Sequence, residues 1–264
     1  MPDADALLDV EDLAVHFGGV KAVDGATFSV KPASATALIG PNGAGKTTAF
    51  NLLTGFIKAD AGRVRFGDHD ISGARSDLIA RLGMVRTFQL TRVLAKMTVI
   101  ENVMLGAPDQ PGMKFATALF RPRRWRGREA EVRDEARALL AEVGIESHAH
   151  EYAATLSGGQ RKLLELARAL MTQPRLVLLD EPMAGVNPTL GRRLLEYLQR
   201  LREERGMTVL FVEHDMDVVM GASDEVVVMA DGRVIARGRP EDVRTDQRVI
   251  DAYLGTPGAE TTAA

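Results

Sequence analysis

Three short stretches of this chain have the residue types needed to hold a phosphate ester and act on it. GPNGAGKTT, at Gly40–Thr48, fits the pattern G-x-x-x-x-G-K-[ST], with Gly40, Gly45, Lys46 and Thr47 at the fixed places. Gly40, Gly43 and Gly45, spaced by Pro41, Asn42 and Ala44, let backbone N–H groups wrap a β-phosphate. Lys46 adds a cation for the β- and γ-oxygens. The Thr47 hydroxyl, ahead of Thr48, can ligate Mg²⁺. RLVLLDEP places Asp180 and Glu181 at the end of an apolar run. There Asp180 is suited to the Mg²⁺ shell, and Glu181 to orienting an attacking water or taking its proton. LSGGQRKLLELARAL, at Leu156–Leu170, opens on Ser157, Gly158, Gly159 and Gln160. Unpaired N–H groups and the helix dipole make such a start an anion-binding end.

Each stretch needs an element to position it. The phosphate loop follows a strand-like ATALI and precedes a helix beginning TTAFNLLTG, the context that gives the pattern its meaning. LVLL and TVLFV have the length and continuous apolarity of buried parallel strands. Carboxylates that follow such a strand emerge at the carboxyl edge of the sheet, where ligands of parallel sheets bind. Leucines at Leu163, Leu166 and Leu170 give LSGGQRKLLELARAL one buried helical face.

Strand runs TFSV, ATALIG, RLVLLD and MTVLFVE alternate with helical stretches through LGRRLLEYLQRLREE and DMDVVMGA. That alternation predicts a mostly parallel sheet. From Thr98 to Gln173 the pattern is helical, with REAEVRDEARALLAEVG expected to stop at Gly144. GRVRFGDHDI predicts a strand–turn–strand at Gly67–Asp68, and EVVVMADGRVIARG a hairpin turning at Asp231–Gly232.

Composition narrows the class. The 264 residues are 45% hydrophobic and 26% charged, ordinary for a globular protein of one or two domains. The net charge of −3 gives no reason to expect nucleic acid as a partner. With no cysteine, disulfides and thiolate metal sites are excluded. MPDADALLDVED lacks the basic start and apolar core of a secretion signal, and no apolar run approaches a spanning length. A soluble chain is expected, held at any membrane by another subunit.

Taken together, the phosphate loop, RTFQL around Gln89, LSGGQ, the Asp180–Glu181 pair and His214 in FVEHD resemble, in their order, the ATP-binding subunits of ABC transporters. The resemblance covers nearly the whole chain. It implies an α/β fold with a P-loop NTPase core on a mostly parallel sheet, an N-terminal antiparallel β subdomain and an α-helical insert carrying the signature. It implies one ATPase domain over 1–254, with core and β subdomain at about 1–90 and 172–254, a helical subdomain at about 91–171, and a flexible tail at 255–264.

The resemblance also implies ATP and Mg²⁺ as cofactors, and two ATPase subunits facing head to tail. Ser157–Gln160 of one subunit would then meet the ATP held by the other's phosphate loop. Gln89 would touch the metal and the water, His214 the γ-phosphate, and Phe17, in VHFGGVKAVDG, the adenine. Implied partners are a second ATPase subunit, integral membrane permease subunits and, indirectly, a substrate-binding protein, with the chain peripheral on the cytoplasmic face of the cell membrane.

MAGVNP puts Asn187 where the superfamily most often has Asp, keeping an acceptor and losing a charge. That form, with RTFQ, MTVIENV, EHDMDVVMGASD and VIDAYLG, looks like the ATPases of branched-chain amino acid importers and relatives for urea or other amides. Alternatives are a homodimeric lipopolysaccharide-export ATPase and a cytosolic ABC scaffold without a membrane subunit. FRPRRWRGRE, at Phe120–Glu129, is expected to be a solvated loop ahead of a helix, with anionic lipid headgroups as its other possible contact.

Overall fold

The runs and periodicities above become strands and helices in the computed structural model, which describes residues 5–87, 93–108 and 122–254. Gln89, Phe120 and the tail 255–264 lie outside the described residues. In chain order the elements are β1 (Leu8–Phe17), β2 (Val20–Val30), β3 (Ala35–Ile39), α1 (Lys46–Leu53), β4 (Ala61–Phe66), β5 (His69–Asp70), α2 (Ser76–Arg81), β6 (Met84–Arg86), α3 (Val99–Met104), α4 (Pro122–Glu142), α5 (Gly158–Leu170), β7 (Leu176–Asp180), α6 (Pro188–Arg205), β8 (Thr208–Val212), α7 (Met216–Ala222), β9 (Glu225–Ala230), β10 (Arg233–Gly238), α8 (Pro240–Thr245) and α9 (Gln247–Leu254). They fall into two compact units, Met1–Leu82 with Gly206–Ala264, and Gly83–Arg205.

The first unit holds an antiparallel sheet in the order β2-β1-β4-β5. Its β1–β2 hairpin turns at Gly18–Gly19 and is not evident from apolar alternation. The reason is a register shift between Val10 and Leu13, where Asp12 takes a φ of +47°, so the buried face changes parity partway along β1. The expected turn after Phe66 is present, with Phe66 paired to His69. In the same unit β3 is buried at all five positions and pairs parallel with β8 and β9. The β9–β10 hairpin turns where expected. Asp231 and Gly232 have φ of 48° and 76°, the pair of positive values that matches the twist of antiparallel strands.

In the second unit β6 and β7 pair parallel, and α3, α4 and α5 pack on one another. Helix α4 ends as its sequence predicts. Gly144 has φ 81°, its N–H donates to Ala141 O, and the Ile145 N–H donates to Leu140 O. The stretch expected as a basic loop is helical from Pro122 on, because proline is preset for a first helical turn. Farther along that helix Arg128 pairs with Glu131 and Glu135, and Arg133 with Glu129.

Helix α5 buries Leu163, Leu164, Leu166 and Leu170. Each contributes about 1.5–3 kcal/mol of burial, which outweighs about 1 kcal/mol for each glycine at its start.

Candidate active site

The phosphate loop is wedged into the first unit by contacts that only glycine allows. A Cβ on Gly40, whose φ is 146°, would lie 2.0 Å from Met229 O of β9. One on Gly45, at φ 98°, would lie 2.3 Å from Ala22 O of β2. Gly45 is the N-cap of α1 and makes no side-chain cap, and no carboxylate sits in the first turn to compete for an anion. The Lys46 side chain lies buried along the loop, its Nζ donating to Gly40 O at 2.7 Å and Pro41 O at 2.9 Å. Asn42, Gly43 and Thr47 are exposed; Ala44 is buried beneath them and Thr48 half-buried.

Register brings His214 to the same edge. Leu38 pairs with Val212, so Gly40 and His214 each follow two residues later on adjacent parallel strands. His214 is exposed, between the fully buried β8 and a helix capped by Asp215, whose carboxylate accepts from the Asp217 and Val218 N–H groups. Phe17, at the end of β1, is 50% exposed and so is no core residue. It pairs with Val20, two residues before the Ala22 carbonyl that touches the loop.

Tyr253 of α9 was missed from sequence. Burial pushes its phenol pKa up, and the Gly40 N–H works against the rise. Its only signal was VIDAYLG, noticed there for its resemblance alone.

The second unit carries the carboxylates. Asp180 ends the fully buried β7, and its Oδ2 accepts from Arg86 Nη2 at 2.6 Å, with side chains 1% and 6% exposed. Arg86 was also missed, since a lone arginine in a three-residue strand carries no motif. Glu181 follows, half-buried, with φ +47°. For a residue of this kind the left-handed conformation costs about 1–3 kcal/mol. Its carbonyl accepts from Lys162 Nζ of α5 at 2.8 Å.

The signature forms a reciprocal cap. Ser157 Oγ accepts from the Gln160 N–H at 3.3 Å, and Gln160 Oε1 accepts from the Ser157 N–H at 2.8 Å. The Gln160 amide also meets His148 Nε2 at 2.9 Å, and His148 Nδ1 lies 3.0 Å from Glu151. The Gln160 side chain is thus turned into its own helix start, while Ser157 and Gly158 face solvent and Gly159 is buried. Asn187 uses its acceptor to cap α6, taking the Thr189 N–H at 2.8 Å. Asp in its place would do the same.

The donor set suits Mg²⁺. Asp180 Oδ1 is buried with no hydrogen-bond partner among the described residues, so a hard cation would satisfy it. No three His, Asp or Glu side chains cluster as a metal cage among the described residues. A metal arriving with substrate phosphates needs only one or two protein oxygens, and Asp180 Oδ1 can supply one.

A glycine-wedged phosphate loop on a parallel sheet, with a buried aspartate and a following glutamate at a strand end, defines a P-loop ATPase. The sequence pattern of the ABC transporter family matches residues 23–184. A second pattern, described as branched-chain amino acid ATP-binding cassette transporter, matches 233–259, the stretch containing Tyr253.

The chain is 42% identical to BraF of Pseudomonas aeruginosa, a high-affinity branched-chain amino acid transport ATP-binding protein, over 94% of this chain and 98% of that one. It is 41% identical to the corresponding LivG of Escherichia coli K12 over the same shares. A nucleotide-free ATP-binding cassette from an ABC transporter superposes with a TM-score of 0.81, at 38% identity over 95% of this chain and 99% of that one. The chain belongs to the ABC transporter family and is one of its transport-coupled ATPases.

Proposed function

We propose that the chain hydrolyses Mg²⁺–ATP at a head-to-tail interface between two ATPase subunits. In doing so it would power a membrane permease that imports branched-chain amino acids or related amides. The observation carrying the first part is that one chain presents two helix starts of the kind that bind anions, at Gly45–Lys46 and at Ser157–Gly158, the second exposed and capped. Two chains facing head to tail use both. The cargo reading rests on the 41–42% identity to BraF and LivG over almost their whole length.

In this reading the phosphate loop holds the β- and γ-phosphates, and Lys46 Nζ turns from the Gly40 and Pro41 carbonyls to phosphate oxygens. Phe17 stacks on adenine. Thr47, Asp180 and Gln89 hold Mg²⁺, whose charge, when bound, offsets that of the phosphates. Glu181 orients the attacking water and accepts its proton. His214 donates to the γ-phosphate as charge builds there, and Ser157 with the first N–H groups of α5 does so from the second chain.

No helix among the described residues is long and apolar enough to cross a membrane. The spanning segments are assigned to permease partners, which a substrate-binding protein would supply, and this chain to the cytoplasmic face.

Glu181→Ala should abolish phosphate release while ATP binding stays near normal. Unchanged turnover removes Glu181 from its role. Vesicles holding the complete transporter should take up leucine only with ATP; uptake of an amide such as urea instead would redirect the cargo assignment.

A further inference from the structure

Glu181 has a backbone that must be held. At φ +47° it occupies the left-handed region that side chains like its own seldom adopt. Strained residues of this kind persist where the surroundings over-determine them. Two donors converge on its carbonyl. The Ala184 N–H, at 3.2 Å, closes a local turn. Lys162 Nζ, at 2.8 Å, comes from α5 and is the only one of the two that reaches the loop from another element. A charged donor in a partly buried position makes the stronger bond of such a pair.

We propose that Lys162 is a positioning residue for Glu181: its ammonium pins the carbonyl, fixes the left-handed kink and so aims the carboxylate. The proposal rests on the reading of Glu181 as the group that orients water. It has a consequence for how the half-sites communicate. Helix α5 begins at Ser157–Gln160, the end assigned to the partner's ATP, whereas Glu181 serves the ATP bound to its own chain. Lys162 lies two residues past Gln160, so its hydrogen bond ties the start of α5 to the backbone of the chain's own Glu181. A shift of α5 when its start meets phosphate would be felt at the Glu181 backbone.

A purely structural lysine would behave differently. Helix α5 is held by its buried leucines, and the turn after Glu181 already has its own backbone bond. Loss of the ammonium should therefore disturb aim rather than folding.

The test uses the full chain with Mg²⁺–ATP and compares Lys162→Met, Lys162→Gln and Lys162→Arg. Lys162→Met should lower kcat about 10- to 100-fold, the range expected when a reacting group is misplaced by about an ångström. KM for ATP, equilibrium binding of a fluorescent ATP analogue and the melting temperature should stay at the parent values. Lys162→Arg, which keeps a charged donor with similar reach, should restore most of kcat; Lys162→Gln, shorter and neutral, should not.

In a Glu181→Gln background Lys162→Met should change nothing further. The proposal is overturned if Lys162→Met turns over at the parent rate, if Arg and Met are equally impaired, or if the loss appears in KM. Should Lys162→Met fail to fold, the contrast between Gln and Arg decides on the same criteria. Parent-like turnover in Glu181→Gln alone would instead overturn the reading of Glu181, a result separable from any property of Lys162.

Discussion

At the level of single residues, the buried pair Arg86–Asp180 is where opposing effects are most sharply balanced. Two charges with side chains 6% and 1% exposed tolerate desolvation only because they meet at 2.6 Å. Removing one leaves the other buried and uncompensated. Arg86→Met should therefore lower stability by about 3–5 kcal/mol in urea unfolding, and Arg86→Lys by less, since it keeps the charge but not the planar fork. A small loss for Arg86→Met would mean that water reaches Asp180. Gly40→Ala should abolish ATP binding, because its Cβ would sit 2.0 Å from the Met229 carbonyl at a φ of 146° that alanine resists; retained binding of a fluorescent ATP analogue would show that the loop can open around a methyl group. The placement of Lys46, Asp180 and Glu181 was legible in the sequence because it follows from spacing along a strand and a loop. Arg86 and Lys162 were not, because each acts on a partner far along the chain, 94 residues away for Arg86 and 19 for Lys162.

Among the elements, the start of α5 shows how an exposed helix end is kept ordered. Ser157 and Gln160 satisfy each other's backbone N–H groups, and His148, backed by Glu151, holds the Gln160 amide in place. The capping pair was visible in LSGGQ, but the histidine brace was not, because it comes from a short 3₁₀ turn twelve residues earlier. Ser157→Ala should cost about 1 kcal/mol of stability, the usual value of an N-cap, measured as a lower urea midpoint with unchanged slope. No change would mean that the His148–Gln160 brace alone fixes the helix start. Strands and helices were readable where a short run is apolar and buried throughout, as in β3 and β7, or where one face is buried with a constant period, as in α5. They were obscured where the period breaks, as at the Asp12 shift in β1. Helix α9 was not assigned from sequence, where VIDAYLG carried only a resemblance.

For the molecule as a whole, the proposed arrangement makes each chain one half of a pair. Each has one phosphate loop and one signature, and in that arrangement these never serve the same nucleotide. ATP then acts as the adhesive between two chains, and its cleavage releases them, as in switches ordered by a γ-phosphate. Glu181→Gln keeps an acceptor of the same size and removes the charge needed to take a proton from water, so it should bind ATP without cleaving it. With saturating ATP and Mg²⁺, this variant should sediment at twice the mass of the nucleotide-free protein, because the intact Ser157–Gln160 start is available to complete a second copy's loop. Removing the nucleotide should return it to a single mass. If ATP binds and the mass does not change, an identical chain is not the partner. The completing signature then belongs to a second, different ATPase, and mixing candidate chains with the trapped variant becomes the way to find it. Ser157→Ala in the same background separates the two cases further: it should weaken a self-paired dimer, yet leave untouched the binding of ATP to a chain that has not paired.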